Sequence, residues 1–367
     1  MNLLFDASSC VRATSKFSEC TKCLDICPVD TIVFTDNIPS FTPSACTTCG
    51  GCVGVCPTES FSLSGFSAIE FFFKFLEEPS SELVCQRDLY GCLSVLSVEH
   101  LISMALSSTD SVVMDVEACG CGGDSDKLQN LLRQNIEEAN YILSSFSDKE
   151  ILIEAVAGGS TPKEEEVEVK SRREIFSLKG AVKSKQVFDD AVDADEIKAF
   201  ELDESVIAKI RDKKIPDKRK LLFSVLKRVG KQESYDILAT DDISFVSQKF
   251  VDDSCTNCQI CYRICPTGAL SSDNRFSVIN FDAMMCLKCH LCHDVCEPNS
   301  IQLQPGFEIR EFFEPRQRVL ASFDVRRCNE CGNNFTYTGS GLQECPRCKV
   351  EEEEAMELHA NAKKMKF

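Results

Sequence analysis

Between residues 66 and 77 the chain reads FSAIEFFFKFLE, which places Ile69, Phe72, Phe73 and Leu76 at helical spacing and makes the FFFKF stretch core by default. The segment SELVC reads as a short strand, SVEHLISMALSS as a helix opened by Ser97, and DSVVMDVEAC as a buried strand. The helix DKLQNLLRQNIEEANYILSSF follows. This strand–helix–strand–helix order predicts a small parallel α/β unit with its cysteines at strand ends, where such folds place ligands. Farther on, Pro216 precedes DKRKLLFSVLKRVG, a helix with Leu222, Val225, Leu226 and Val229 on one face and Gly230 as its stop.

On either side of this unit the pattern is short-range and set by cysteine. Cysteines fall into blocks at 10–56, 85–121, 255–296 and 328–348. The first and third blocks repeat each other, as CTTCGGCVGVCPTESFSL and CTNCQICYRICPTGALSS show, and the run occurs twice within each. Five positions after the last cysteine of every run stands an apolar residue, Ile32, Phe61, Leu270 or Ile301. Four copies of one small unit are predicted, each feeding a turn into a short strand. The cysteine-free interval carries TPKEEEVEVK and DDAVDADEIKAFELDE, which read as a solvated connector, and the tail EEEEAMELHANAKKMKF reads as polar and mobile.

The expected class is α+β multidomain. The repeated cysteine runs resemble ferredoxin modules, the first over 1–65 and the second over 251–312, and the paired knuckles of the last block resemble a zinc ribbon, which with the polar tail takes 313–367. A small cysteine-containing α/β domain is expected over 66–150, and an acidic connector with a helical segment over 151–250.

Composition narrows the chemistry. A net charge of −18 argues against nucleic acid as the main partner, since phosphate binding needs clustered Lys and Arg. No run of about 18 apolar residues is present to span a bilayer. The start, MNLLFDASSC, has neither a secretory pattern nor a twin arginine, so a cytoplasmic home is expected. The 24 cysteines, mostly in C-x2-C pairs within a long chain, read as thiolate ligands for metals rather than as a disulfide framework.

Cys255, Cys258, Cys261 and Cys265 are followed by Pro266, and Cys286, Cys289, Cys292 and Cys296 repeat the spacing with Pro298 displaced by one. This resembles the two-cluster bacterial ferredoxins, whose C-x2-C-x2-C-x3-C-P run gives three ligands to one 4Fe–4S cluster and the fourth to its neighbour. The resemblance implies one cluster on Cys255, Cys258, Cys261 and Cys296, and another on Cys286, Cys289, Cys292 and Cys265. It implies the same in the first block for Cys46, Cys49, Cys52 and, crossing over, Cys27. The remaining run has Cys20, Cys23 and a crossing Cys56, but Phe17 stands where its first cysteine belongs. Cys10, carried on the intervening VRATSKFSE, is expected to complete this site as a looped ligand. Lengthening the loop by seven residues costs about 1 kcal/mol or less in closure entropy, far less than a bond to iron gains. A three-iron cluster with Cys10 a bystander is the other reading. Zinc on the same cysteines competes less well, because tetrahedral zinc draws on two paired knuckles rather than interleaved triplets.

Cys328, Cys331, Cys345 and Cys348 form two knuckles that resemble a zinc ribbon, with the TGSG turn as the tip of a hairpin; zinc or a single rubredoxin-like iron would use nearly the same ligands. Cys85, Cys92, Cys119 and Cys121 complete the count. Their surroundings loosely resemble the iron–sulfur (delta) subunit of methanogen-type hydrogenase and heterodisulfide reductase, which implies a 2Fe–2S or other cluster; buried thiols packing as small hydrophobes are the alternative.

His290 and His293 read as surface residues, with tuning of the adjacent cluster as the alternative. The basic stretch KIRDKKIPDKRKLLFSVLKRVGK reads as a solvated helix face, with docking onto an acidic partner or onto the chain's own acidic modules as the alternative. Neither G-x-G-x-x-G nor G-x4-G-K-[ST] occurs, and no residue reads as catalytic. The functional expectation is an electron-transfer protein with four 4Fe–4S clusters, more an electron-carrying subunit of an oxidoreductase than a catalytic chain. Its expected partner is a hydrogenase, formate dehydrogenase or heterodisulfide-reductase-like complex. The alternatives are an iron–sulfur redox sensor or assembly protein, and a cluster-based reductase in the α/β domain.

Overall fold

The computed structural model describes residues 2–78, 81–85, 88, 92–116, 124–156, 213–339, 341 and 343–364. The acidic connector and the cysteines at 119 and 121 lie outside the described residues.

The two cysteine-rich modules are built alike. In the first, strand Leu3–Phe5 pairs antiparallel with Phe61–Leu63, bringing the end of the module back to its beginning. Between them a hairpin pairs Ile32–Thr35 with Ile38–Phe41. Its two turn residues, Asp36 and Asn37, sit at φ 50° and 67°, the left-handed pair that a tight two-residue hairpin needs. In the second module Lys249–Val251 pairs with Ile301–Leu303, and Leu270–Ser271 with Val278–Asp282. Here Gln317–Ser322 adds a third antiparallel strand to the inner hairpin. Strands begin at Ile32, Phe61, Leu270 and Ile301, the four apolar positions marked by the repeat. Three residues after the last cysteine of each run the backbone is left-handed, at Asp30, Glu59, Gly268 and Asn299. That residue turns the chain out of the run and into the strand.

The central unit has the expected parallel sheet, Glu82–Val84, Val112–Asp115 and Ile151–Ile153, with the middle strand flanked by the other two. Helix Val98–Ser107, opened by Ser97, is buried along most of its length. It packs against helices Ala68–Glu77, Ser125–Leu143 and Asp217–Val229. Phe72 and Phe73 are buried, as the helical spacing predicts; Phe75 is buried too, while Ile69 and Leu76 are half-buried. Helix Asp217–Val229 ends at Gly230, with φ 80°. It lies inside the protein, and its apolar face, Leu221, Leu222, Val225 and Leu226, seals the central helix.

At the C-terminus Val325–Arg327 pairs with Asn334–Thr336. The turn of this hairpin is the first cysteine knuckle, Cys328 to Gly332; TGSG follows the second strand and leads to the second knuckle, so it is not the hairpin tip. The polar tail is helical over Pro346–Lys364. Its Glu, Ala and Lys content favours helix without a buried face, and proline suits the first turn. Among the described residues no helix is long and apolar enough to cross a membrane.

One contact fixes how the central unit meets the first module. A Cβ placed on Gly54 would stand 2.1 Å from the carbonyl oxygen of Ser94, and one on Gly51 would stand 2.8 Å from Leu128. In the run Gly50, Gly51, Cys52, Val53, Gly54 the three glycines stand where the 93–95 turn and Leu128 lean on it. Gly54→Ala is therefore expected to destabilise the full chain by about 1–3 kcal/mol, the usual cost of overpacking, visible as a lowered melting temperature.

Candidate cluster and metal sites

Around the altered first run, Cys10 is buried and caps a short helix, Val11–Thr14. The segment expected to loop over solvent is instead pinned. The Arg12 guanidinium donates 2.9 Å to the Cys20 carbonyl and 2.7 Å to Asn37 Oδ1, and it stacks 4.0 Å from the Phe34 ring centre. Asn37 returns its amide N–H to the carbonyls of Arg12 and Ser15. Phe17, where the missing cysteine would be, is 61% exposed. The Cys10, Cys20, Cys23 and Cys56 thiols lie close enough to feel one another's charge. Burial pushes the Cys23 thiol up to about 12, with Cys20, Cys56 and Cys10 adding to it.

The same grouping recurs three times. Burial raises the Cys52 thiol, and Cys49, Cys23 of the neighbouring set, Cys46 and Cys27 raise it further. Cys255, Cys258, Cys261 and Cys296 line one small cavity capped by Pro298 and Ile301. Burial raises Cys289 well above the ordinary thiol range, with Cys265, Cys286 and Cys292 contributing. Four buried thiols of this kind do not all ionise by themselves, because each thiolate loses hydration and repels the other three. A cationic iron core removes both penalties, so the donor sets fit iron–sulfur ligation.

The backbone fits as well. In each of the three complete runs, the second residue after the first cysteine and the first after the second are left-handed: Thr48 and Gly50, Asn257 and Gln259, Lys288 and His290. Successive turns of this kind line up N–H groups into a concave anion nest. Amides of Thr48, Ser60 and Lys288 donate to the sulfurs of Cys46, Cys56 and Cys286 at 3.4, 3.2 and 3.4 Å. The altered run lacks the pair, with Thr21 at φ −119°. Its difference therefore extends from the missing cysteine to the path of the chain.

Residues 3–57 match the family model of a 4Fe-4S dicluster domain, and residues 254–300 match a second such model. The chain carries two 4Fe-4S dicluster domains. Together they take in all four runs, and the first includes Cys10. No curated protein matches the chain.

Outside the dicluster domains, Cys328, Cys331, Cys345 and Cys348 bring their sulfurs within 4.8 Å of one another, compact enough to hold one metal ion. The 3.7 Å between the sulfurs of Cys331 and Cys345 is near the edge of a tetrahedron with bonds of about 2.3 Å. Burial that would raise the Cys328 thiol is outweighed by the N–H groups of Cys331, Cys345 and Glu330, which hold it at about 6. Cys85 and Cys92 are buried in the central unit, and the Leu93 amide donates 3.3 Å to the Cys85 sulfur. Cys92 lies close enough to Cys49 of the first dicluster domain to raise its thiol, and Ser94 Oγ donates 3.4 Å to the Cys49 carbonyl.

Over the described part of the basic stretch Lys214, Lys227, Arg228 and Lys231 face water as expected, but one face is turned inward. Lys218 and Arg219 are buried, and Arg219 is among the largest fully buried side chains. Arg219 Nε donates 2.6 Å to Glu99 Oε1, Nη1 donates to the carbonyls of Met284 and, at 2.9 Å, Cys286, and Nη2 donates 2.8 Å to Phe245. Lys218 Nζ donates 2.6 Å to the Cys56 carbonyl. Lys213 donates 2.6 Å to the Tyr262 carbonyl, and Lys127 donates 3.2 Å to that of Cys27. With Arg12 on Cys20, every run has a cation on one of its carbonyls. A solvated helix face is the first expectation for this stretch because a basic helix usually faces water; Lys218 and Arg219 follow the alternative, docking onto the chain's own modules, in a chain of net charge −18.

His290 and His293 are half-buried rather than surface residues. His293 Nε2 lies 2.7 Å from Lys249 Nζ, and burial, then Lys249 and His290, lower its pKa to about 3.

Burial would raise the Glu99 carboxyl, but Arg219 and Lys218 outweigh that and leave it below the ordinary carboxylate range. Its contribution to stability is thus present above the unfolded carboxylate pKa and is lost as pH falls through the folded one. Glu99→Gln keeps the shape and leaves two buried cations without a counter-charge. It is expected to cost about 3–5 kcal/mol, measured by denaturant unfolding of the full chain.

Proposed function

We propose that the chain is an electron-transfer protein holding four 4Fe–4S clusters, together with a metal-bearing ribbon at its C-terminus. The observation that carries this reading is the pair of dicluster domains in one chain, each with eight cysteines in two close groups, within which burial raises the thiols of Cys23, Cys52, Cys261 and Cys289. The proposed ligand sets are Cys10, Cys20, Cys23 and Cys56; Cys46, Cys49, Cys52 and Cys27; Cys255, Cys258, Cys261 and Cys296; and Cys286, Cys289, Cys292 and Cys265. A cluster bound at such a site supplies one-electron chemistry with no transfer of atoms. The chain's part is to exclude water, to aim N–H groups at the sulfurs, and to place cations where charge builds up on reduction. All three favour holding an added electron.

The nearness of Cys92 to Cys49 supports the central α/β unit as one end of the relay. Donor and acceptor are proposed to be other redox proteins, of the hydrogenase, formate dehydrogenase or heterodisulfide-reductase kind.

Iron analysis of anaerobically purified protein tests the reading. About sixteen irons per chain are expected in the dicluster domains, with one further metal, zinc, in the ribbon. Cys10→Ala is expected to lower the iron count and to replace one reduced-cluster signal in electron paramagnetic resonance by that of a three-iron cluster. Unchanged iron would remove Cys10 from the ligand set. Cys345→Ser is expected to remove one zinc and leave iron unchanged; loss of one iron instead would make the ribbon rubredoxin-like.

A further inference from the structure

We propose that Lys218 and Arg219 are positioning residues that fix the Cys10–Cys20–Cys23–Cys56 set of the first dicluster domain against the Cys265–Cys286–Cys289–Cys292 set of the second. The inference rests on the four-cluster reading and goes beyond it by naming the two inner sets and the residues that join them. Lys218 and Arg219 are consecutive, so their Cα atoms are about 3.8 Å apart. Their side chains diverge to opposite domains: Lys218 to the Cys56 carbonyl at 2.6 Å, Arg219 to the Cys286 carbonyl at 2.9 Å. The helix end that carries them is itself seated on the first domain. The amides of Asp217 and Lys218 donate 2.7 and 3.0 Å to the carboxylate of Glu59, in the turn that follows Cys56. A carboxylate at that place suits the exposed N–H groups and dipole of a helix start.

A second contact, independent of the clasp, picks out the same two sets. The Glu19 amide, beside Cys20, donates 3.1 Å to Asp294 Oδ2, at the end of the short helix that holds Cys292. Cys49 instead faces the central unit through Ser94, and Cys258 is exposed, so the other two sets lie outward. Among the described residues Glu99 is the carboxylate paired to both clasp cations, at 2.6 Å from Arg219 and 3.8 Å from Lys218.

The test uses the full chain, purified anaerobically, with Lys218→Met and Arg219→Met made singly and Lys218→Arg and Arg219→Lys as conservative counterparts. Iron per chain is measured first. Each protein is then reduced by about one electron per dicluster domain, and pulsed dipolar resonance reads the magnetic coupling between the two domains. The expected result is unchanged iron, loss of the inter-domain coupling seen in the parent, and its recovery in the conservative variants. Coupling retained at full iron content in both methionine variants overturns the proposal. Where Arg219→Met sheds iron, Lys218→Met decides; loss of iron there too assigns the pair to the fold of a single domain and equally overturns it. The iron count of the unsubstituted chain judges the four-cluster reading separately.

Discussion

Three buried charges, Glu99, Lys218 and Arg219, hold the parts of this protein together. Each belongs to a helix of the core, and each reaches something outside its own helix: Lys218 the first dicluster domain, Arg219 the second and the loop at Phe245, Glu99 both cations. Buried ion pairs are poor sources of stability, because desolvation cancels most of the attraction. Their worth here is in direction. An apolar contact at the same place could slide, whereas a guanidinium bonded to named carbonyls has one register.

The pattern of charge follows the same logic across the chain. In this protein of net charge −18 the buried acidic groups among the described residues are few, Glu99, Asp115, Asp282 and Glu311. Lys127, Lys213, Lys218, Arg219 and Arg12 turn inward to carbonyls of the cysteine runs. At Cys20, Tyr262 and Cys286 a cation bonded to the carbonyl polarises that peptide, so its N–H becomes a better donor on the opposite side. The peptides after Cys27 and Cys56 join to proline and have no N–H, so there the cation supports the carbonyl alone.

The sequence carried more of the local structure than of the assembly. The repeat marked the first residue of four strands, at Ile32, Phe61, Leu270 and Ile301, because an apolar residue there must fall inside whenever the turn is kept. Helical periodicity found the buried faces of Ala68–Glu77 and Asp217–Val229 for the same reason. What periodicity does not encode is which elements meet. Lys218 and Arg219 occupy polar positions on an amphipathic helix, and Glu99 with the carbonyls of Cys56, Met284, Cys286 and Phe245 opposite them makes burial tolerable. Arg12 is a similar case: the VRATSKFSE segment has the composition of a loop, and the partners that order it, Asn37 and Phe34, lie across the hairpin.

The glycines of CGGCVGVC distinguish two copies that otherwise share a motif. In the sister run the matching positions hold Gln259, Ile260 and Arg263, and Ile260 is 45% exposed. Where a neighbour's backbone occupies the space, side chains have been lost; where the face is open, they remain. The two dicluster domains are therefore not interchangeable parts. Exchanging their runs would leave every cysteine in place and still wedge Arg263 against a carbonyl with no room to yield. A duplicated unit of this kind keeps its ligands through ancestry, while its bare patches record which face has since acquired a permanent neighbour.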